Sequence, residues 1–292
     1  MEHAAAHGGT SGKRRATLYV VATPIGNLAD LGQRALETLG SVDAVAAEDT
    51  RVTRRLLAHY GIAKRLIAVH EHNEKRAVGS ILALLRDGRS VALTSDAGTP
   101  AISDPGALLV AAARAAGFPV TPVPGPNAAI AALSASGFAA PHHLFYGFLP
   151  ERAAARRRAL AGLARLPFTL VFYEAPHRVE ECVSDLRAVL GDKRRVVLAR
   201  ELTKLFESVH ACTLAEAADW LAGDPVRRKG EFVLIVEGAA ETTAAEDAGP
   251  RALEALLGEL PLRRAVDLAA RITGGRKNEL YKLALVLKQR KS

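Results

Sequence analysis

The 292-residue sequence predicts an α/β protein of two domains with a small helical extension at its C-terminal end. Three observations carry this expectation. Short β-branched runs alternate with Ala- and Leu-rich helical stretches from residue 17 to about 240. A Pro124-Gly125-Pro126 turn interrupts that rhythm midway. Beyond Gly238 the pattern becomes helical and basic. At roughly 100–200 residues per domain, the length agrees.

In the first half, strands are predicted at 17–23, 42–47, 66–69, 91–95 and 120–123, with helices near 31–40, 50–60, 74–87 and 106–116. Strands alternating with helices read as a mainly parallel sheet covered on both faces. The Pro-Gly-Pro turn leads into an Ala-rich helix at 127–136 and marks the domain boundary. In the second half, strands at 144–148, 169–174, 195–201, 207–211 and 231–237 are separated by helices near 151–165, 178–190 and 214–222. The 201–207 connection is too short for a crossover helix, so antiparallel pairs are expected there. The segment ETTAAEDAGP (241–250) has linker composition, and helices are predicted at about 250–259, 262–273 and 277–288. The last two, joined by Thr273-Gly274-Gly275, resemble a helix-turn-helix. The expected division is a tail at 1–16, domains at 17–125 and 126–240, and a basic helical extension at 241–292.

Charge narrows the function classes. The net charge is +8, yet residues 17–250 hold 26 basic and 26 acidic side chains, so the excess sits at the two ends. Residues 251–292 carry ten Lys and Arg against four acids. A basic module on a neutral body suits phosphate-backbone anchoring, while solubilisation is the equal alternative. Arg152, Arg156, Arg157, Arg158 and Arg165 cluster on one predicted helix and read as a solvated face. No apolar run reaches the roughly 18 residues of a membrane span, and residues 1–16 lack a secretory apolar core. Cys182 and Cys212, with no CxxC pair, fit a reducing cytoplasm better than a disulfide or zinc scaffold.

The turns after the first, fourth and fifth strands are Thr23-Pro24-Ile25-Gly26-Asn27, Thr94 to Pro100 continuing to Gly106, and Pro124-Gly125-Pro126-Asn127. Ligands of open α/β sheets bind at the carboxyl ends of strands, where small residues admit them to the backbone. GxGxxG, GxxxxGK[ST], HExxH and GxSxG are all absent, which points to a ligand with few or no phosphates. Asp49 is read with equal weight as a helix cap or a site residue, and Asp96 as a helix cap or, preferred, a ribose acceptor. Glu174 and Arg178, and the run Arg200 to Lys204, end strands of the second half in polar residues.

Eight motifs occur in order: TPIGNLADLGQRAL (23–36), AAEDTR (46–51), SDAGTPAISDPG (95–106), PVPGP (122–126), GFLP (147–150), FYEAPHR (172–178), ARELTK (199–204) and KGEFVLIVEG (229–238). Together they closely resemble the bacterial 16S ribosomal RNA cytidine 2′-O-ribose methyltransferases, a branch of the tetrapyrrole methylase superfamily. The resemblance covers roughly 17–240 and extends into the tail. Departures are small: Asn127 is more polar than in some relatives, and Ala175 replaces a common Ser.

The resemblance implies a two-domain tetrapyrrole-methylase-like (class III methyltransferase) fold, with S-adenosylmethionine between the domains, usually in a homodimer. The implied cofactor contacts are Pro24, Ser95, Asp96, Thr99, Asn127, Ala128, Glu174 and the backbone of Leu202. The implied substrate is a cytidine 2′-hydroxyl of 16S rRNA in the decoding centre of the small subunit. For its proton, Glu48 or a neutral Lys204 is the expected base, with Asn27 orienting the ribose. Arg51 and Arg178, and Arg276 and Lys277 in the tail, are the expected RNA contacts. A metal site is not expected. The competing readings are a tetrapyrrole or diphthine-type methyltransferase and a non-enzymatic RNA-binding factor.

Overall fold

The computed structural model describes residues 15–70, 73–139, 141–240 and 244–289. The first fourteen residues of the expected tail lie outside these; Arg15 donates to the Gly117 carbonyl and Ala16 is buried.

The N-terminal domain runs β1 (Leu18–Val21), α1 (Gln33–Ser41), β2 (Ala44–Ala47), α2 (Thr50–His59), β3 (Arg65–Ala68), α3 (Glu74–Arg86), β4 (Val91–Thr94), α4 (Ala107–Ala115) and β5 (Val120–Val123). Its strands are all parallel, in the order β3-β2-β4-β1-β5. Alternation along each strand serves both faces. Ala44, Ala46, Val91 and Leu93 pack with residues of α3 and α4, while Val45 and Ala92 pack with residues of α1 and α2. Burial on both faces explains why β2 and β4 read as continuous apolar runs rather than alternating ones.

The second domain begins with α5 (Ala128–Ser134), followed by β6 (His143–Phe148), α6 (Ala153–Leu163), β7 (Thr169–Glu174), α7 (Val179–Leu190), β8 (Arg195–Arg200), β9 (Ser208–Thr213), α8 (Leu214–Ala222) and β10 (Phe232–Val236). Its sheet has the order β6-β7-β10-β8-β9, with β6 and β7 parallel and the other pairs antiparallel. Residues of α6, α7 and α8 cover one face; α5 covers the other, on Val171, Val197, Val233 and Ile235. That second face is left partly open, and the ligand cleft lies along it.

Helices α9 (Ala244–Glu259), α10 (Leu262–Thr273) and α11 (Lys277–Gln289) enclose a separate small core of Leu253, Ala265, Val266, Ala269, Leu280 and Ala284. The expected linker is shorter than composition suggested, because α9 starts at Ala244 and includes Pro250. Ala244, Ala245 and Ala248 are strong helix formers, and Pro250 removes only the bond to the residue four earlier.

The arginine cluster on α6 is not simply a solvated face. Arg156 is fully buried, donating to Asp185 of α7 at 2.6 Å, to the Glu151 carbonyl at 3.0 Å and to Glu181 at 3.3 Å. Arg157, more exposed, takes the other Asp185 oxygen at 2.5 Å. Periodicity cannot reveal this arrangement, because the partner lies 29 residues away on a different helix. Removing one member of such a pair strands a buried charge. Asp185→Ala is therefore expected to lower stability in urea by about 3–5 kcal/mol, and Arg156→Leu combined with Asp185→Leu to recover much of that loss.

Candidate functional site

The site is assembled where strand-end turns of the two domains meet. Thr23 and Gly98 exchange backbone hydrogen bonds of 2.9 and 3.0 Å, closing the turn after β1 onto the turn after β4. The Thr99 hydroxyl donates to the Pro126 carbonyl at 3.1 Å, tying that turn to the interdomain Pro-Gly-Pro. From α3, buried Glu74 accepts from the backbone N–H groups of Gly106 and Leu108 at 3.0 and 3.1 Å. A carboxylate at the start of α4 is favoured by the helix dipole, and here it fixes the turn that carries Ser103 and Asp104. Gly26 is required by close approach, since a Cβ there would stand 2.5 Å from Lys204 Cγ and 2.9 Å from Thr203 Oγ1.

These turns and the open face of the second sheet enclose a cleft of about 370 Å³. Its wall includes Ile25, Thr99, Asp104, Asn127, Phe148 and Glu174, over a floor containing Ala199 and Val233. Three carboxylates, Asp104, Glu174 and Glu231, line it, and no Lys, Arg or His does so among the described residues. Glu174 is buried and one of its oxygens, Oε2, has no hydrogen-bond partner; the other accepts from the Ala175 N–H at 2.8 Å. An unpaired buried carboxylate oxygen is costly unless a ligand donor meets it. The cleft thus suits a compact ligand with N–H or O–H donors for Glu174 and positive charge beside Asp104, and among the described residues it offers polyphosphate no lining cation.

Of the cofactor contacts implied by resemblance, Thr99, Asn127, Ala128, Glu174 and Leu202 line the cleft. Asn127 also caps α5, accepting from the Ile130 N–H at 3.1 Å. Pro24, Ser95 and Asp96 are not among the lining residues. Buried Ser95 faces inward, with its hydroxyl 3.3 Å from the Gly98 carbonyl. Asp96 braces a neighbouring strand end: its Oδ1 accepts from the Asp49 N–H at 2.9 Å, and Glu48 Oε2 accepts from the Asp96 N–H at 3.3 Å.

Burial raises the carboxyl pKa values of Glu48, Asp96 and Asp104 above their ordinary positions. Opposing hydrogen bonds from the Asp96 N–H and the Ser95 hydroxyl moderate the rise for Glu48 and Asp104 respectively. Asp49 behaves oppositely. It caps α2, and hydrogen bonds from the Arg51 side chain lower it to about 2. Arg51 remains at the surface with its side chain 81% exposed.

Two expectations are corrected. Lys204 is not a neutral base. Its Nζ donates to both Glu201 and Glu231 at 2.8 Å, and although burial pulls its pKa down, the two carboxylates more than offset this and hold it protonated. Arg178 is not a free phosphate contact, because its guanidinium lies 3.2 Å from Glu174 and donates to the Leu149 carbonyl at 2.6 Å. Each side chain has one partner within its own motif, Glu201 for Lys204 and Glu174 for Arg178, and one distant in the chain, Glu231 and Leu149 respectively. Asn27 is exposed and caps the short turn of helix at Leu28–Asp30. In the extension, Arg276 and Lys277 are exposed, beside Glu279 and Asp267.

Sequence reasoning missed Asp104 and Glu231 as cleft carboxylates. The signal for Asp104 lay inside a quoted motif, but its neighbours Ser103 and Pro105 read as turn chemistry. Strain is a further signal visible only in three dimensions. Ala101, Glu201 and Thr203 adopt positive φ without being glycine, and all three sit in loops that border the cleft. Buried Arg200 holds the second of these loops by donating to the carbonyls of Lys229, Phe206 and Val226.

The fold has solved counterparts. A cobalt-precorrin-4 methyltransferase of cobalamin biosynthesis superposes with a TM-score of 0.58 at 19% identity, covering 78% of this chain and 98% of that one. A uroporphyrin III C-methyltransferase from Thermus thermophilus gives 0.53 at 18% identity, covering 76% and 97%. Sequence relatives are much nearer. The protein named ribosomal RNA small subunit methyltransferase I from Xylella fastidiosa (strain Temecula1) is 55% identical over 266 residues, spanning 91% of this chain and 97% of the relative. Its namesake from Escherichia coli O157:H7 is 53% identical over 270 residues, spanning 92% and 94%. The family model for tetrapyrrole (corrin/porphyrin) methylases matches residues 17–218, and the model described as the RsmI C-terminal HTH domain matches 243–288. With both sheets, the cleft between them and the three-helix extension accounted for, the chain belongs to the tetrapyrrole methylase family, in the branch of the small-subunit ribosomal RNA methyltransferases I.

Proposed function

We propose that this methyltransferase uses S-adenosylmethionine to methylate the ribose 2′-hydroxyl of a cytidine in the decoding centre of 16S rRNA. In this reading it acts on the assembled small subunit, as a homodimer in the cytoplasm. The observation that carries the cofactor assignment is the chemistry of the cleft: three carboxylates, an orphaned Glu174 oxygen and, among the described residues, no cation on its wall. S-adenosylmethionine fits this set, having a sulfonium, an ammonium and hydroxyl donors but no phosphate. Thr99, Asn127, Ala128, Glu174 and Leu202 are the residues to hold it. When bound, it supplies an activated methyl group on a positively charged sulfur.

The chain's own residues supply alignment and a proton acceptor. A ribose hydroxyl attacks well only as its proton leaves, and general-base help is typically worth about 10²–10⁴-fold. With Lys204 held protonated, the acceptor role passes to carboxylates raised by burial: Asp104 on the cleft wall first, and Glu48, which is not among the lining residues, second. Burial is the largest cause of the Glu48 rise, and the nearby Asp104 charge adds to it. RNA enters through the separate basic module and exposed Arg51, since the names of the relatives, the neutral body and the net +6 of residues 251–292 favour a polyanionic substrate. The acidic cleft disfavours the many carboxylates of a tetrapyrrole. For the homodimer, Leu205 and Phe206, 89% and 63% exposed before β9, offer an apolar surface.

The deciding assay is methyl transfer from labelled S-adenosylmethionine to small subunits from cells lacking this activity, with free rRNA and a precorrin alongside. Label recovered as 2′-O-methylcytidine is the expected result, and label on the precorrin alone would sink the RNA assignment. Asp104→Asn is expected to slow single turnover by about 10²–10⁴-fold while cofactor affinity persists, with Glu48→Gln having the smaller effect. Since only the deprotonated base works, the acid limb of the wild-type rate profile should lie above the ordinary carboxyl value of 3.8 and flatten in Asp104→Asn. Replacing Arg276 and Lys277 together by Ala should weaken RNA binding and make its log–log salt slope shallower by about two, roughly one per phosphate contact.

A further inference from the structure

The GFLP segment leaves one feature that cofactor binding and proton transfer do not use. Strand β6 contains a β-bulge: Phe145 pairs with Val171 and Gly147 with Phe172, so Tyr146 is an extra residue in the ladder. Gly147 takes a φ of 79°, a conformation that favours glycine, and a Cβ there would lie 3.5 Å from Ser103 Oγ. Side chains alternate with a period of two, so one inserted residue moves everything after it to the opposite face. Phe145 and Phe148 are three apart and would point to opposite faces of a regular strand. The bulge puts both on the face of Val171 and Tyr173, and both rings meet Tyr173, at centroid distances of 5.0 and 5.7 Å. Tyr173 is itself anchored, accepting from the Ala129 N–H at 3.3 Å.

The bulge therefore carries a phenyl ring onto the cleft wall and leaves it 53% exposed. Ile102 of the Ala97–Asp104 turn lines the same cleft and is 51% exposed. A register device that exposes an aromatic side chain at a cleft is not explained by core packing; a planar ligand group is what such a ring receives. Among the other lining residues, Ala199, Phe232 and Val233 are buried. Phe148, by contrast, lines the cleft while remaining largely exposed, so a macromolecular substrate can reach it. Its neighbour Asp104 is the proposed proton acceptor, so a base stacked here would bring its own ribose to that carboxylate.

We propose that Phe148, backed by Tyr173 and with Ile102 on the same wall, forms a nucleobase subsite that stacks the base of the target nucleotide. This subsite rests on the RNA reading given above. Stacking a single-stranded base on an aromatic side chain tolerates any base, so the subsite positions the nucleotide rather than reading its identity.

The test uses the full-length protein and its Phe148→Leu and Phe148→Trp variants, with small subunits as RNA substrate and calorimetry for S-adenosylmethionine. Phe148→Leu should raise KM for the subunit by about 5- to 100-fold, the range expected for losing one stacked base, with cofactor affinity retained. Phe148→Trp should recover most of that loss, which a merely structural role would not produce. An unchanged KM in Phe148→Leu overturns the proposal. So does a matching loss of cofactor affinity, which would give the ring to the adenine instead. Failure of the wild-type protein to methylate any RNA would remove the underlying reading and the subsite with it, and it is seen before any variant is made.

Discussion

Mutual hydrogen bonding among three strand-end turns is the constraint on which the rest of this molecule depends. The Thr23–Gly98 bridge locks the turn after β1 to the turn after β4, and Thr99 carries the connection to Pro126, between β5 of the first sheet and α5. Each turn alone is a flexible run of Gly, Pro and small polar residues. Joined, they form one rim whose position is set by a backbone bridge and a side-chain hydroxyl bond to backbone. Rigid supports of this kind let residues such as Asp104 and Asn127 converge on a ligand without relying on long, mobile side chains. Glu74 extends the same logic from behind, pinning the start of α4 and the turn ahead of it.

The electrostatic design separates two tasks. Inside the cleft the wall is acidic, and the neighbouring cations Lys204 and Arg178 are already committed. Lys204 is held between Glu201 and Glu231, and Arg178 lies against Glu174 and Leu149. Outside it, excess positive charge is gathered on the helical extension, where residues 251–292 carry ten Lys and Arg against four acids. A cation-accepting cleft and a polyanion-attracting module would interfere if interleaved, because opposite charges within a few ångströms pair with each other first. Placing them on separate elements avoids that, and the three-helix extension has its own core, which lets it present its charges independently.

Much of the fold was legible because its signals are local. Helix α8 was bounded by its apolar periodicity to the residue, and its capping box at Thr213 and Glu216 is a pattern of four adjacent residues. Parallel pairing in the first half followed from strands separated by helices, and antiparallel pairing in the second from a connection too short for one. Within the site, the turns after β1, β4 and β5 were found from their Gly and Pro content, since only such residues let a backbone close so tightly.

The sequence by itself determined which residues are apolar and with what period, where the chain must turn, and how charge divides between body and extension. Those properties depend on neighbours within a few positions. Only the tertiary structure decided what each charged side chain does, because the partner that fixes a charge can lie anywhere in the chain. Lys204 became a paired cation through Glu231, Arg156 a buried tie through Asp185, and Arg178 a partner of Glu174 and Leu149. Phe148 faces the cleft through a one-residue bulge that no periodicity announces, because register is a property of two strands at once.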